Sequence, residues 1–464
     1  MKVNTTLGFL FLVILATSCA SIKPTAPDFL KEQQQMPSTS VSNQIVVPLE
    51  VNLSGLVKEA ENSVPAVMKG GDYPCSGVRY SYEFYKDKFQ ITADKQVITS
   101  KLNGSYWIKM NYCAGCTGLF GDQNCISPVI PFSCGVNETK PSVEIVLSTK
   151  IGITKDYALT ATTKIDKVEP IHPCKVTVFR FDATGEVMKR VTAVVESEAK
   201  EMDKKLGEIQ FKNESEAFWK QLNQSFKIPN LGFLHVQPKA ISIVKPRFEN
   251  NKLYSALLLN CTTFINQEEK NSATSKLPEL QVVSSTPKDT FEVFTDITLD
   301  YDSLSQLMTT QLGGKTLELR NKQFVFTKFD VNPLPDNRIV IGVHFDGSKN
   351  GILYLKGQPV FDNNTKVFSL TAIEYDIETK SSLIKFADWL FSKKITDELQ
   401  KASTVDFKSD FEKLKAEINQ NLKRKIGDYT LSGKVHDAKV HNIYVDLNHL
   451  FLRTGVTANL KVTD

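Results

Sequence analysis

Histidine and tryptophan are scarce in this chain of 464 residues, with 6 and 3 copies. His172, His235 and His344 stand far apart, and His436 and His441 flank a strand-like stretch. Five residues apart on a strand, the latter two point to opposite faces, which argues against a shared metal. The chain has no His-Glu-x-x-His pair, no Gly-x-Ser-x-Gly elbow and no phosphate-cradling glycine loop. The local signatures of zinc peptidases, serine hydrolases and nucleotide-binding enzymes are therefore missing, and neither a reaction nor a cofactor is expected. Glu374 and Asp376 share one strand face, but a solvated edge accounts for that pair. No dense Lys/Arg block occurs, and the net charge is only +4. A nucleic-acid partner, which calls for a basic stripe, is not expected.

Apolar material is present in ordinary amount, 41% of residues against 23% charged. A chain this long exceeds one ordinary core, so two domains are expected. The N-terminus carries the most specific local signal. Lys2 gives a basic start, Phe9–Leu15 an apolar run, and Ala16-Thr-Ser-Cys19 ends it. That run is too short to span a bilayer and reads as a signal peptide over residues 1–18. A cysteine directly after small residues resembles a bacterial lipobox, with Cys19 as the lipidated first residue of the mature protein. Such a lipid anchors a protein to a membrane without spanning it. Residues 19–43 hold Pro24, Pro27, Pro37 and Gln33–Gln35, a composition that reads as a flexible tether.

Cys113, Cys116, Cys125 and Cys134 lie together in an insertion rich in glycine and proline. Four such thiols could hold a tetrahedral zinc or close two disulfides. Export from the reducing cytosol favours disulfides, and no metal is expected. Seven cysteines remain after Cys19, so at least one is free.

The chain also repeats itself. Shifted by a constant step, Asp182–Phe226 falls on Glu378–Leu422 with its apolar positions in register: Val187 on Leu383, Val191 on Ala387, Val194 on Leu390, Phe218 on Leu414, Leu222 on Ile418 and Phe226 on Leu422. Spacings of three and four make each copy one apolar stripe along a helix. Alternating strands precede both blocks. Val78, Tyr80, Tyr82 and Phe84 alternate with polar residues, as do Val143, Ile145 and Leu147, and later Ile339, Ile341, Val343 and Phe345. The reading is a duplicated module, residues 44–285 and 286–464, each running from strands to a long amphipathic helix and back to strands.

That order of elements resembles the plan of the tubular lipid-binding (TULIP) superfamily, to which bactericidal/permeability-increasing protein belongs. More closely, the chain is similar to a lipoprotein family of Bacteroidetes-type bacteria defined only as a domain of unknown function. The similar pieces are Pro173-Cys-Lys-Val176, Phe218-Trp219 with Leu222, Gly232-Phe-Leu-His-Val-Gln-Pro238, Gly351-Ile-Leu-Tyr-Leu-Lys-Gly-Gln-Pro-Val-Phe-Asp362 and Glu374-Tyr-Asp-Ile-Glu-Thr379. The resemblance implies an α+β fold of two tandem tubular modules, each a long amphipathic helix wrapped by a strongly curved antiparallel sheet. It also implies hydrophobic tubes that take up lipid or another amphiphile, lined by Val191, Val194, Phe218, Leu222, Phe226, Ala387, Leu390, Leu414, Ile418 and Leu422. With Cys19 lipidated, the protein is expected in a bacterial envelope, on the outer membrane facing the periplasm. The alternative is a structural lipoprotein with solid cores that engages a protein partner.

Overall fold

The computed structural model describes residues 21–32, 41–117, 124–126, 131–176, 181–228, 232–269, 276–285, 288–319, 322–376, 404–426 and 429–464. The first half opens with β1 (Asn43–Asn52) and α1 (Ser54–Ser63). The strands β2 (Val67–Asp72), β3 (Gly77–Asp94) and β4 (Val97–Cys113) come next, with short pieces β5 (Cys116–Thr117), β6 (Asn124–Cys125) and β7 (Pro131–Cys134). The chain continues through β8 (Ser142–Ile153), β9 (Leu159–His172), α2 (Thr184–Gly207) and α3 (Lys212–Leu222). It closes with β10 (Ser225–Ile228), β11 (Gly232–Val244), β12 (Arg247–Glu249), β13 (Lys252–Asn266) and β14 (Gln281–Val283).

The second half opens in the same way, with β15 (Thr290–Asp300) and α4 (Tyr301–Leu312). A run of strands follows: β16 (Thr316–Leu319), β17 (Lys322–Leu334), β18 (Arg338–Gly347), β19 (Gly351–Asp362), β20 (Val367–Tyr375) and β21 (Val405–Asp406). Then come α5 (Lys408–Asn421), β22 (Arg424–Ile426), β23 (Tyr429–Val445) and β24 (His449–Thr463).

This architecture overturns the expected α+β fold of long helices wrapped by curved sheets. Among the described residues strands account for 59% and helices for 18%, and only α2 exceeds 14 residues. Two physical causes stand out. The block expected as one long helix from Asp182 to Phe226 breaks after Gly207. There the backbone turns out to pair with the strand side: Leu159 N donates to Ile209 O at 2.9 Å, and Phe211 N donates to Tyr157 O at 2.8 Å. Each bond satisfies main-chain groups that a continuous helix would have used internally. The second cause is that the cores are built mainly by strands. Phe326, Phe329, Ile341, Val343, Leu353 and Leu370 bury one another within the sheet β16-β17-β18-β19-β20-β21 and beneath α4. Of the second helical block, residues 377–403 lie outside the described residues; its end is α5.

The two halves meet in one ten-stranded sheet. β1 pairs antiparallel with β13, and β15 pairs antiparallel with β24. β1 also touches β24, and β15 touches β13, so the opening strands of both halves share one slot end to end. The joint is a buried polar patch with partners for each member. Asn43 Nδ2 donates to Phe294 O at 2.9 Å, its Oδ1 accepts from Phe294 N at 2.8 Å, and Thr263 Oγ1 lies 2.9 Å from Thr295 Oγ1. Buried polar groups are tolerated only when satisfied in this way.

Glu50 on β1 is clamped between Lys252 of β13, at 2.6 Å, and Lys461 of β24. The hydrogen bonds from Lys252 and Lys461 pull its carboxyl down to about 2. A depressed carboxyl contributes stability above its unfolded value near 4.5, and that contribution fades as the pH falls toward 2. In Glu50→Gln the unfolding midpoint is therefore expected to vary less with pH between 4.5 and 2 than in the wild type, read by thermal melts across that window. Equal slopes would show that the clamp carries no acid sensitivity.

The segment read as a flexible tether is pinned at two places. Ile22 is 3% exposed and packs into the core of the six-stranded sheet, bridging Gly351 of β19 in parallel. Ile22 N donates to Asn350 O at 3.0 Å, Ile352 N donates to Ile22 O at 2.9 Å, and Leu30 N donates to Pro333 O at 3.0 Å. A Cβ on Gly351 would stand 2.5 Å from Ile22 O. Gly351→Ala is accordingly expected to release the segment, seen as faster protease cleavage within residues 21–32; unchanged cleavage would refute the docking.

Candidate functional site

The alternation of Tyr80, Tyr82 and Phe84 along β3 puts all three rings on one face of the sheet β2-β3-β4-β8-β9. The antiparallel register sets Tyr80 opposite Met110, Tyr82 opposite Ile108 and Phe84 opposite Tyr106. The same logic on β8 supplies Ile145 and Leu147. α2 crosses this face. Asp182 Oδ1 accepts from Thr184 N at 2.9 Å where the helix begins, and Lys204 and Lys205 sit in its last turn, favourable to the helix dipole. Val187 and Ala199 are buried on the side facing the sheet.

Helix and sheet do not close on each other. Between them lies a groove of about 650 Å³, walled by Phe84, Phe89, Leu102, Ile108, Ile145 and Leu147 on the sheet and by Val187, Val191, Val194 and Val195 on the helix. That volume falls within the roughly 300–1,000 Å³ usual for small-molecule sites. An apolar space of this size is costly unless filled, because its lining forgoes contacts that a packed core would make.

Three charged side chains border the groove: Lys69, Arg190 and Glu198. Lys69 is paired with Glu83 at 2.6 Å, and Glu83 also accepts from Tyr85 and Trp107 on the far face of the sheet. That partner lifts the Lys69 ammonium above its ordinary range. The Arg190 guanidinium lies 5.7 Å from the centre of the Tyr80 ring. Tyr106 is 4% exposed, and its hydroxyl finds no hydrogen-bond partner among the described residues. Burial pushes that hydroxyl up to about 12, so it remains a proton donor at any physiological pH. A buried hydroxyl left unpaired costs about 1–3 kcal/mol.

Of the ten residues expected to line tubes, Val191 and Val194 border this groove, and Val194 is 40% exposed. Leu222 packs beside the buried Trp219 at the central sheet. Phe218 and Phe226 are exposed, and Leu414, Ile418 and Leu422 are half-buried along or just past α5. Ala387, Leu390 and Cys19 lie outside the described residues. The sheet wall and Arg190 were absent from that expectation. The alternation of Tyr80, Tyr82 and Phe84 carried the signal for the wall, whereas nothing local marks Arg190.

The cysteines form three disulfides, Cys75–Cys116, Cys113–Cys125 and Cys134–Cys174, and Cys261 is free and buried. All four thiols of the insertion are bonded, but two reach outside it. The Cys134–Cys174 bond fixes the start of α2: Ala183 N donates to Cys174 O at 2.9 Å, and Cys174 N donates to Thr184 Oγ1 at 2.8 Å. The disulfide therefore holds one end of the groove's helical wall. Among the described residues no cluster of His, Cys, Asp and Glu is arranged to hold a metal.

Among solved structures, P47 of Clostridium botulinum E1 aligns at 9% identity over 89% of this chain and 99% of its own, with a TM-score of 0.20. P47 from Clostridium botulinum A2 aligns at 9% identity over 89% and 96%, with a TM-score of 0.22. Likeness at that level carries no argument about fold or function. No curated protein matches the chain. Residues 42–463 match the family described as "Domain of unknown function (DUF4403)", and the chain belongs to that family.

Proposed function

We propose that this protein is a lipid-anchored envelope protein that takes up the apolar part of a lipid or other amphiphile in the groove between α2 and its sheet. The observation that carries this reading is the groove itself, apolar on both walls and large enough for one ligand. Each buried methylene contributes about 0.8 kcal/mol, so some ten of them give roughly 8 kcal/mol before the costs of binding. No covalent chemistry is needed.

The envelope address rests on the export signal and lipobox ending at Cys19, on the likeness to lipoproteins of Bacteroidetes-type bacteria, and on three disulfides that suit an oxidising compartment. The outer membrane facing the periplasm is the proposed site. The likeness to the TULIP superfamily contributes the class of ligand alone; its tubular plan is not retained.

The test is to purify the mature chain from an envelope-containing host without detergent and to quantify extracted lipid per protein by mass spectrometry. Near-stoichiometric lipid is expected, and its loss in Val191→Trp, which fills the groove. If no lipid co-purifies and none can be loaded, the reading fails. One observation favours a second reading. Met202, Leu206 and Ile209 line a shallow apolar cleft at the exposed end of α2, rimmed by Glu198, Glu201 and Lys205, a surface suited to a protein partner. Ile209→Lys, in the cleft but outside the groove, would abolish partner capture under that reading and leave bound lipid unchanged.

A further inference from the structure

We infer that the Cys75–Cys116 disulfide is a thiol-exchange site, at which a thiolate of a partner's dithiol attacks Cys75 Sγ and Cys116 leaves. Neither the groove nor its ligand takes part. Three features set this bond apart from the other two.

The first is access. Cys75 is exposed in the connection from β2 to β3, and Cys116 is half-buried on β5. By contrast, Cys134 and Cys174 are 1% and 0% exposed, and Cys113, bonded to Cys125, is 0% exposed. A disulfide is opened by a thiolate that reaches one of its sulfurs, so an incoming thiolate meets Cys75 first.

The second is a buried cation aimed at the other sulfur. Arg79 of β3 is 8% exposed. Its Nε donates to Pro74 O at 2.9 Å, which holds the guanidinium in place, and its Nη2 donates to Cys116 Sγ at 3.2 Å. Among the described residues no carboxylate stands at ion-pair distance from it, so the bonded state leaves a buried charge without an anion. Opening the bond puts a thiolate on Cys116, and the same contact becomes an ion pair. A thiol favoured as its anion departs faster, so Cys116 is the leaving sulfur.

The third is the wiring. Cys113 and Cys116 have Cys-x-x-Cys spacing yet are bonded to different partners, Cys125 and Cys75. The register of β5 on β6 sets Cys116 opposite Cys125, and Cys113–Cys125 closes the insertion on itself. With Cys75–Cys116 open, Cys116 therefore stays held beside β6, placed to reclose on Cys75. Cys134–Cys174 continues to fix the start of α2.

In the first step the incoming thiolate forms a bond to Cys75 Sγ, the Cys75–Cys116 bond breaks, and its electron pair leaves on Cys116 beside Arg79. In the second step the other thiolate of the dithiol attacks the partner-side sulfur of that mixed disulfide and releases Cys75, which takes up a proton. Two electrons pass from the dithiol, which ends as a disulfide, to Cys75–Cys116. The reverse sequence recloses the bond. The partner class is an exported protein that presents a dithiol.

The experiment treats the folded mature chain with glutathione at neutral pH, quenches with acid, blocks free thiols with N-ethylmaleimide and maps them by mass spectrometry. Glutathione is expected on Cys75 with Cys116 as the free thiol. This bond is expected to open about tenfold or more faster than Cys113–Cys125 and Cys134–Cys174. Dithiothreitol, a dithiol, should reduce the same bond first and leave no mixed disulfide. Glutathione on Cys116, or one common rate for the three bonds, overturns the proposal. The part played by Arg79 is read in Cys75→Ser, where Cys116 is a free thiol. Iodoacetamide at pH 7 is expected to label Cys116 several-fold faster in the folded variant than in the same variant unfolded by urea, because the guanidinium holds it as thiolate. Adding Arg79→Gln should remove that acceleration. Equal or slower labelling in folded Cys75→Ser, or acceleration retained without Arg79, refutes Cys116 as the leaving sulfur.

Discussion

Replacing Phe329 with alanine is expected to lower the stability of the six-stranded sheet by about 3–5 kcal/mol, the range for removing a buried phenyl ring. Phe329 is buried in the largest core cluster, where it meets Phe326 edge to face with ring centres 5.8 Å apart. Its strand is tied to α4 as well: Thr309 Oγ1 accepts from Phe329 N at 3.0 Å, and Ser305 Oγ accepts from Val331 N at 2.8 Å. The cavity left by alanine cannot close by moving the helix without breaking those bonds. The check is the denaturant midpoint of Phe329→Ala beside that of Phe218→Ala. Phe218 is exposed, and its truncation should stay within about 0.5 kcal/mol of the parent. Equal shifts in the two variants would show that the sheet core has been misassigned.

Removing the Cys134–Cys174 disulfide by paired alanine substitutions should cost roughly 4 kcal/mol on chain-entropy grounds, given a separation of 40 residues. The more telling expectation concerns ligand retention. This bond ties the end of β7, beside β4, to Cys174, which is hydrogen-bonded to Ala183 and Thr184 at the start of α2, so its loss should loosen one wall of the groove and lower bound lipid. Cys75–Cys116 has nearly the same separation, 41 residues, and should cost a similar amount of stability. It ties the chain ahead of β3 to β5 in the cysteine insertion, away from the start of α2, so lipid should be retained. Denaturant midpoints and lipid content measured on both double variants separate the two effects. Equal lipid loss in both would mean that general destabilisation, not the placement of α2, governs retention.

What the sequence made legible was local. The alternation along Val143–Leu147 and Ile339–Phe345 and the helix stop at Gly313 follow from short-range periodicity. The preference for disulfides over metal in the Cys113–Cys134 insertion also followed from an export signal and spacing alone. What escaped was everything decided between distant residues. Cys75 and Cys174 join the insertion cysteines only because strands far apart in the chain bring them there. The pairing of Glu50 with Lys461 spans 411 positions. The break after Gly207 depends on Leu159 N and Tyr157 O offering better partners than the next helical turn, which the apolar stripe along Asp182–Phe226 does not reveal. The groove was half visible: the helical stripe named Val191 and Val194, but its opposite wall needed the register of β3, β4 and β8.

The docking of Ile22 has a mechanical consequence. A free chain over residues 20–43 would wander about 25–30 Å from its attachment, letting the body tumble in any attitude. With Ile22 locked to Gly351, only Ala20 and Ser21 lie between Cys19 and the rigid body, a reach of about 10 Å. A lipid on Cys19 would thus act as a short stub rather than a leash. It would press the turn between β18 and β19 toward the bilayer and give the molecule a fixed heading on the membrane.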